Sequence, residues 1–260
     1  MKIRIIISVA IITALSSLTV FAQNKKGSVK DTRTYVDLGL PSGTLWATCN
    51  IGASKPEEFG LYFAWGETKG HTSDTSDGHK FEIKNYKWSD FNSKYPKLLK
   101  YRINRNGIAD KKVLDPEDDA ATVNWGSKWH IPSLEQIKEL CDSTYTTAEW
   151  TTLNGVNGRK ITSKKNDNWI FLPAANIIIT AGSSGIYWSR TLYMGMDDDA
   201  VTLEFYKDKW FFDRHTPRYY GLSIRPVRTQ KSQTKNKEIE KQEIEEGDAM
   251  IMPVEVILPE

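Results

Sequence analysis

Histidine and cysteine are scarce in this 260-residue chain, with four of the first and two of the second. Cys49 stands in a strand-like run and Cys141 on the apolar side of an expected helix. In an oxidising compartment two cysteines can pair, but sequence does not place their Cα atoms within bridging distance. We read both as apolar residues with free thiols. His71 and His79 share a polar loop with Asp74 and Asp77, at a spacing that matches no zinc pattern. His130, beside Ile131-Pro132, reads as a residue leading into a helix, not as a general base. A Gly-x-Ser-x-Gly elbow is missing, since Gly182-Ser183-Ser184-Gly185 is one residue short. No catalytic set is therefore read. Charge of one sign is missing too. Without Lys2 and Arg4 the basic residues fall from 35 to 33, against 33 acidic ones. This gives no electrostatic case for nucleic acid or anionic lipid as partner.

A long apolar run occurs only at the start. Lys2 and Arg4 precede an uncharged stretch from Ile5 to Val20, and Val20-Phe21-Ala22 suits signal peptidase. The run of about 18 residues is short for a membrane span, which needs about 20. The expectation is a cleaved signal peptide over 1–22, and an exported chain in the periplasm, at the cell surface or secreted. The residue directly after the cut is Gln23 and not a cysteine, which argues against a lipoprotein. Later apolar patches such as Ile177-Ile178-Ile179 are strand-sized.

About 238 residues remain, enough for one large domain or two small ones. After a lead-in over 23–32, strands are expected at Tyr35–Leu40, Thr44–Ile51 and Leu61–Trp65. Residues 70–112 form a long irregular stretch with scattered aromatics, a length that marks functional or disordered loops. One helix is expected from Asp115 as N-cap with Pro116 at its first position, ending at Gly126. A second starts at Ser133, with Gln136 at capping-box spacing and Leu134, Ile137, Leu140 and Cys141 on one stripe. Strands then follow in series. Glu149–Leu153 leads through a Gly-rich connection at 154–158 to Arg159–Thr162, and Trp169–Pro173, Ile186–Ser189, Ala200–Tyr206, Trp210–Phe212 and Gly221–Arg228 come after. The pattern is α+β with an antiparallel sheet and two short helices. From Thr229 the chain turns charged and reads as a flexible tail, ending in the apolar Met250–Leu258, which could add to a sheet edge.

Four segments recur in order: Tyr35–Ala47 (YVDLGLPSGTLWA), Asp118–Gly126, Trp129–Ser133 (WHIPS) and Gly221–Arg228 (GLSIRPVR). Phe171–Ala175 and Tyr187–Ser189 lie between the last two. Together they resemble the Fibrobacter succinogenes major paralogous domain family of exported Bacteroidetes proteins, over about residues 33–228. The resemblance implies a fold similar to C-type lectins and to formylglycine-generating enzymes. His130–Gln136 and Gly221–Arg225 sit where those enzymes open a helix and end on a strand. Their reactive cysteine pair near the end of the domain has no counterpart, because no cysteine follows Cys141. The lectin calcium motifs Glu-Pro-Asn and Trp-Asn-Asp are missing as well.

Two kinds of site residue remain. Asp115, Glu117, Asp118 and Asp119 crowd together, as do Asp197–Asp199, and hard oxygens are what calcium takes. Acidic residues at a helix start also have a reason in the helix dipole. Trp88, Tyr95, Trp210 and Tyr219 are the candidate platforms for a sugar face. Trp46, Trp125, Trp129 and Trp188 belong to the recurring segments and read as structural. The expectation is a non-catalytic binding module for a surface glycan or protein. The alternatives are a subunit of a cell-surface assembly docked through its C-terminal segment, and an enzyme with a dispersed site.

Overall fold

Thirteen strands and two helices are set out in a computed structural model that describes residues 33–72, 78–91, 93, 97–176 and 182–229. The expected signal peptide and lead-in, Tyr95, Ile177–Ile179 and the charged tail lie outside the described residues.

The strands are β1 Tyr35–Asp37, β2 Thr44–Ala47, β3 Tyr62–Phe63, β4 Ser89–Asp90, β5 Lys97–Leu98, β6 Thr146–Leu153, β7 Val156–Ser163, β8 Trp169–Pro173, β9 Gly185–Leu192, β10 Asp199–Phe205, β11 Trp210–Pro217, β12 Leu222–Ser223 and β13 Val227–Thr229. The helices are α1 Ala120–Trp125 and α2 Leu134–Cys141. The largest sheet runs β11-β10-β9-β12-β3, a second β6-β7-β8, a third β1-β2-β13, and β4 pairs with β5. All pairings are antiparallel except β12 with β9. The mixed, mostly antiparallel architecture with two helices is the one expected.

Local chemistry explains the elements. Ser133 accepts from the Gln136 amide and the Gln136 side chain reaches back to the Ser133 amide, so the α2 capping box forms as read. Ile137, Leu140 and Cys141 are buried along its inner face. The other helix departs from expectation. Its N-cap is Asp119, not Asp115, because the Asp119 carboxylate accepts from Ala121 and Thr122 and also from the Ile131 amide. Pro116 therefore lies before the helix, in a turn closed by Asp118 N–H to Asp115 C=O. The C-cap at Gly126 is as read.

The connection between β6 and β7 is tighter than expected. Asn154 (φ 49°) and Gly155 (φ 83°) turn the chain alone, both left-handed as a two-residue hairpin requires. Asn157 and Gly158 belong to β7 itself. A Cβ on Gly158 would lie 2.4 Å from the Leu172 carbonyl oxygen, so only glycine lets β8 approach there.

Two apolar clusters fill the interior. One gathers Trp65, Trp129 and Trp188 with Phe63 and Tyr101; the other gathers Trp46, Ile137, Leu140, Tyr187 and Phe205. Trp46, Trp129 and Trp188 are buried as expected, while Trp125 is half-buried with its ring edge-on to Trp129. Cys49 and Cys141 are free thiols.

Arg225 runs through this interior. Its Nε donates to Asn50 Oδ1 at 2.8 Å, Nη1 to the carbonyls of Ala47 (3.1 Å) and Thr48 (2.8 Å), and Nη2 to that of Phe171 (2.9 Å). It is 1% exposed and burial pushes its guanidinium below the ordinary range. β2 stops at Ala47 and not at Ile51: the Thr48 carbonyl goes to Arg225, and those of Asn50 and Ile51 accept from the Ala53 and Leu61 amides. Arg225→Met is expected to lower unfolding free energy by about 3–5 kcal/mol, since buried carbonyls lose their donor. Arg225→Lys should fall between. Urea unfolding of the three proteins measures this, and equal stability of Arg225→Met and wild type would contradict it.

Candidate functional site

The acidic cluster resolves into two unlike parts. Asp115, Glu117 and Asp118 bring carboxylate oxygens within 4.8 Å of one another. Asp119 does not join them, being committed to the α1 cap, and burial raises its carboxyl above the usual range. Lys100 Nζ stands among the three, 2.7 Å from Asp115, 3.6 Å from Glu117 and 2.5 Å from Asp118. Lys111 adds a second contact to Asp115, and Lys87 one to Asp118. Burial opposes the Lys100 charge, but hydrogen bonds to Asp115, Asp118 and Tyr101 outweigh it and hold the ammonium above its ordinary range. Hydrogen bonds from Lys100 and Lys111 hold Asp115 below the carboxylate range. Calcium needs six to eight oxygens. Here an ammonium already holds the central position, so the set as folded fits a lysine better than a metal.

The aromatic candidates do not meet in one place. The Trp88 indole N–H donates to the Gly66 carbonyl at 3.0 Å, and Lys87 Nζ lies 4.2 Å from its ring centroid. Trp210 carries the Arg159 guanidinium over its ring at 5.4 Å. That same Arg159 donates to the carbonyls of Tyr206, Lys207 and Lys209, which fixes the β10–β11 turn. Tyr219 packs on Tyr220 at 4.8 Å, and burial raises its phenol. All three are half-buried.

Two of the open concavities among the described residues lie elsewhere. One, about 770 Å³, is lined by the irregular stretch after residue 82 and by Asp197 and Asp198. Ile83, Leu98, Ile103 and Ile108 give it aliphatic patches, and Lys97, Arg102, Asn104 and Asp110 make much of the rest polar. The Asp110 carboxylate is spent on the amides of Arg102 and Lys111. The described part of the long irregular segment thus contributes walls to a cleft.

The second, about 580 Å³, lies against the β10–β11 hairpin at the edge of the largest sheet. It is lined by Glu204, Tyr206, Lys209, Phe211, Arg214 and His215. Thr202 pairs with Arg214 and Glu204 with Phe211, so β11 spends Phe212 and Asp213 where β10 spends Leu203. This bulge puts Phe211 and Arg214, three residues apart, on the same face of the hairpin, and His215 lines the groove beside them. His215 is fixed from two sides: its Nδ1 meets Asp199 Oδ2 at 2.5 Å, and Tyr193 stacks on its ring at 4.0 Å. The carboxylate accepts, so Nδ1 carries the proton and Nε2 stays available. Burial raises the Glu204 carboxyl above the ordinary range, with Arg214 opposing. Of the residues here, the sequence reading singled out Asp199 as a calcium oxygen, whereas it orients a histidine. The alternation of Ala200–Tyr206 marks Glu204 and Tyr206 as outward positions, but no sequence signal marks Phe211 or Arg214 as their neighbours.

The molecule is thus a mixed, mostly antiparallel domain with open clefts among its described residues, and no helix among those residues is long and apolar enough to cross a membrane. No protein-family model matches the chain, and no curated protein or solved structure matches it either.

His130 bears on pH dependence. Its backbone bridges to Val227, and burial, aided by the charge of Arg190, pushes its imidazole down to about 4. The folded protein therefore binds fewer protons than the unfolded chain between about pH 6.5 and 4. Stability from this residue is full above about 6.5 and falls as pH drops towards 4. His130→Gln should flatten that part of the curve of unfolding midpoint against pH, and an unchanged slope would refute the assignment.

Lys100→Met is expected to cost about 2 kcal/mol, because charge-assisted hydrogen bonds to Asp115 and Asp118 are lost. It also vacates the carboxylates, so millimolar calcium should raise the melting temperature of this variant and leave that of wild type unchanged. Calorimetry with and without calcium tests both statements.

Proposed function

We propose that this chain is an exported, non-catalytic binding module that receives a carbohydrate in the β10–β11 groove. The observation that carries this reading is the composition of the groove: the rings of Tyr206 and Phe211 stand among Glu204, Lys209, Arg214 and His215. Aromatic faces take the C–H face of a sugar ring, and charged or amide groups take its hydroxyls. The resemblance of the Tyr35–Ala47 and Gly221–Arg228 segments to the exported paralogous-domain family supports it, as does the similarity of that family to lectin-like folds. The apolar run before Gln23 supports export. The cleft beside residues 83–110 suits a protein partner better than a sugar, as no ring lines it among the described residues.

A second reading, an enzyme with a dispersed site, draws on one observation. Asp199, His215 and Glu204 place an oriented imidazole and a desolvated carboxyl at one groove, which is acid–base equipment.

A glycan array with purified protein, with and without calcium, tests the first reading. Binding of a defined polysaccharide is expected, with at least a tenfold loss in Phe211→Ala and none in Trp88→Phe. Binding that survives Phe211→Ala would remove the groove from the account. Release of products from the bound glycan, abolished by His215→Asn, would instead establish the enzyme.

A further inference from the structure

The β10–β11 groove has an imbalance that the chain as a whole does not. Overall the acidic and basic residues nearly cancel. Within the groove, Lys209 and Arg214 are both exposed, and among the described residues neither has a carboxylate oxygen within 4.0 Å. The contrast with Lys100 and Lys111 is direct, since those two cations are held by carboxylates. Lys209 and Arg214 lean on rings instead. The Arg214 guanidinium carbon lies 4.3 Å from the Phe211 ring centroid, and Lys209 Nζ 5.6 Å from it and 5.8 Å from that of Tyr206. A guanidinium laid on an aromatic face keeps its N–H edge outward, in the fork geometry that fits a carboxylate. The carboxylates nearby do not fill that place. Asp199 is buried and turned to His215, Glu204 is half-buried with its oxygens beyond 4.0 Å of both cations, and Asp208 and Asp213, their neighbours in sequence, do not line the groove.

We propose that the groove selects acidic carbohydrate, a chain bearing uronate carboxylates, which Arg214 and Lys209 receive while Phe211 and Tyr206 carry the sugar rings. This rests on the reading that the groove receives a carbohydrate. It goes further in naming the charge of the ligand and the two residues that discriminate.

The test is calorimetric titration of the purified protein with a panel of uronate oligosaccharides, each beside its carboxyl-reduced counterpart. The uronate forms are expected to bind at least tenfold more tightly, with an advantage that shrinks as salt rises. The double variant Lys209→Gln/Arg214→Gln should lose that advantage and keep the weak binding of the reduced forms. Arg214→Lys should retain part of it. Both positions are exposed, so an unchanged melting temperature identifies the loss as one of recognition. Equal binding of charged and reduced forms, with loss in Phe211→Ala, would overturn the acidic selectivity and leave the carbohydrate groove standing. Absence of binding to every member of the panel and of the neutral array would overturn both.

Discussion

Arg225 puts a guanidinium where no carboxylate among the described residues neutralises it, and the architecture is arranged around that fact. Its donors reach Asn50, the carbonyls of Ala47 and Thr48 at the end of β2, and that of Phe171 in β8. Asn50 in turn donates to the Phe59 carbonyl and lies against the Tyr187 hydroxyl, which donates to Pro173. Segments from three sheets thus share one hydrogen-bonded centre. Backbone carbonyls spread the charge without the cost of burying a second ion, and every one of them would be an orphan without the arginine. Arg159 repeats the device on a smaller scale under the β10–β11 turn.

What was legible in the sequence was what short-range chemistry decides. Ser133 and Gln136 cap α2 through atoms three residues apart, and the outcome needs no tertiary partner. Asn154-Gly155 marked the position of the β6–β7 turn for the same reason, although its length was overread because Gly158 also looked like turn chemistry. Gly158 is a glycine for the sake of β8, a strand the local pattern does not mention. Helix α1 shows the same limit. Asp115, Pro116 and three acidic residues make a good helix start in isolation. Lys100 and Lys111 take up those carboxylates, and the Ile131 amide, twelve residues away, helps choose Asp119 as the cap.

The site was less legible than the fold. Tryptophan was the guide, and tryptophan in this chain is largely a structural residue. Trp88 spends its N–H on Gly66, and Trp210 lies against the arginine that fixes a turn. The groove is built from residues with weaker signatures, Glu204, Tyr206, Phe211 and Arg214, brought together by a hairpin and one bulge. Alternation predicted the outward direction of Glu204 and Tyr206 alone. It did not predict that β11 would be an edge strand, and that placement is what leaves the groove open.

The Arg225 centre also bears on how the chain comes to be folded. Its partners at Ala47 and Asn50 precede it by 178 and 175 residues. Contacts this remote must await the closure of a very long loop, which places the domain among slow folders. During synthesis the early strands would be complete long before residue 225 leaves the ribosome, yet they have no donor for their inward carbonyls until it does. The end of β2 and the middle of β8 thus share a donor that is among the last parts of the domain to be made, so this centre forms only when the first and last strands are both in place.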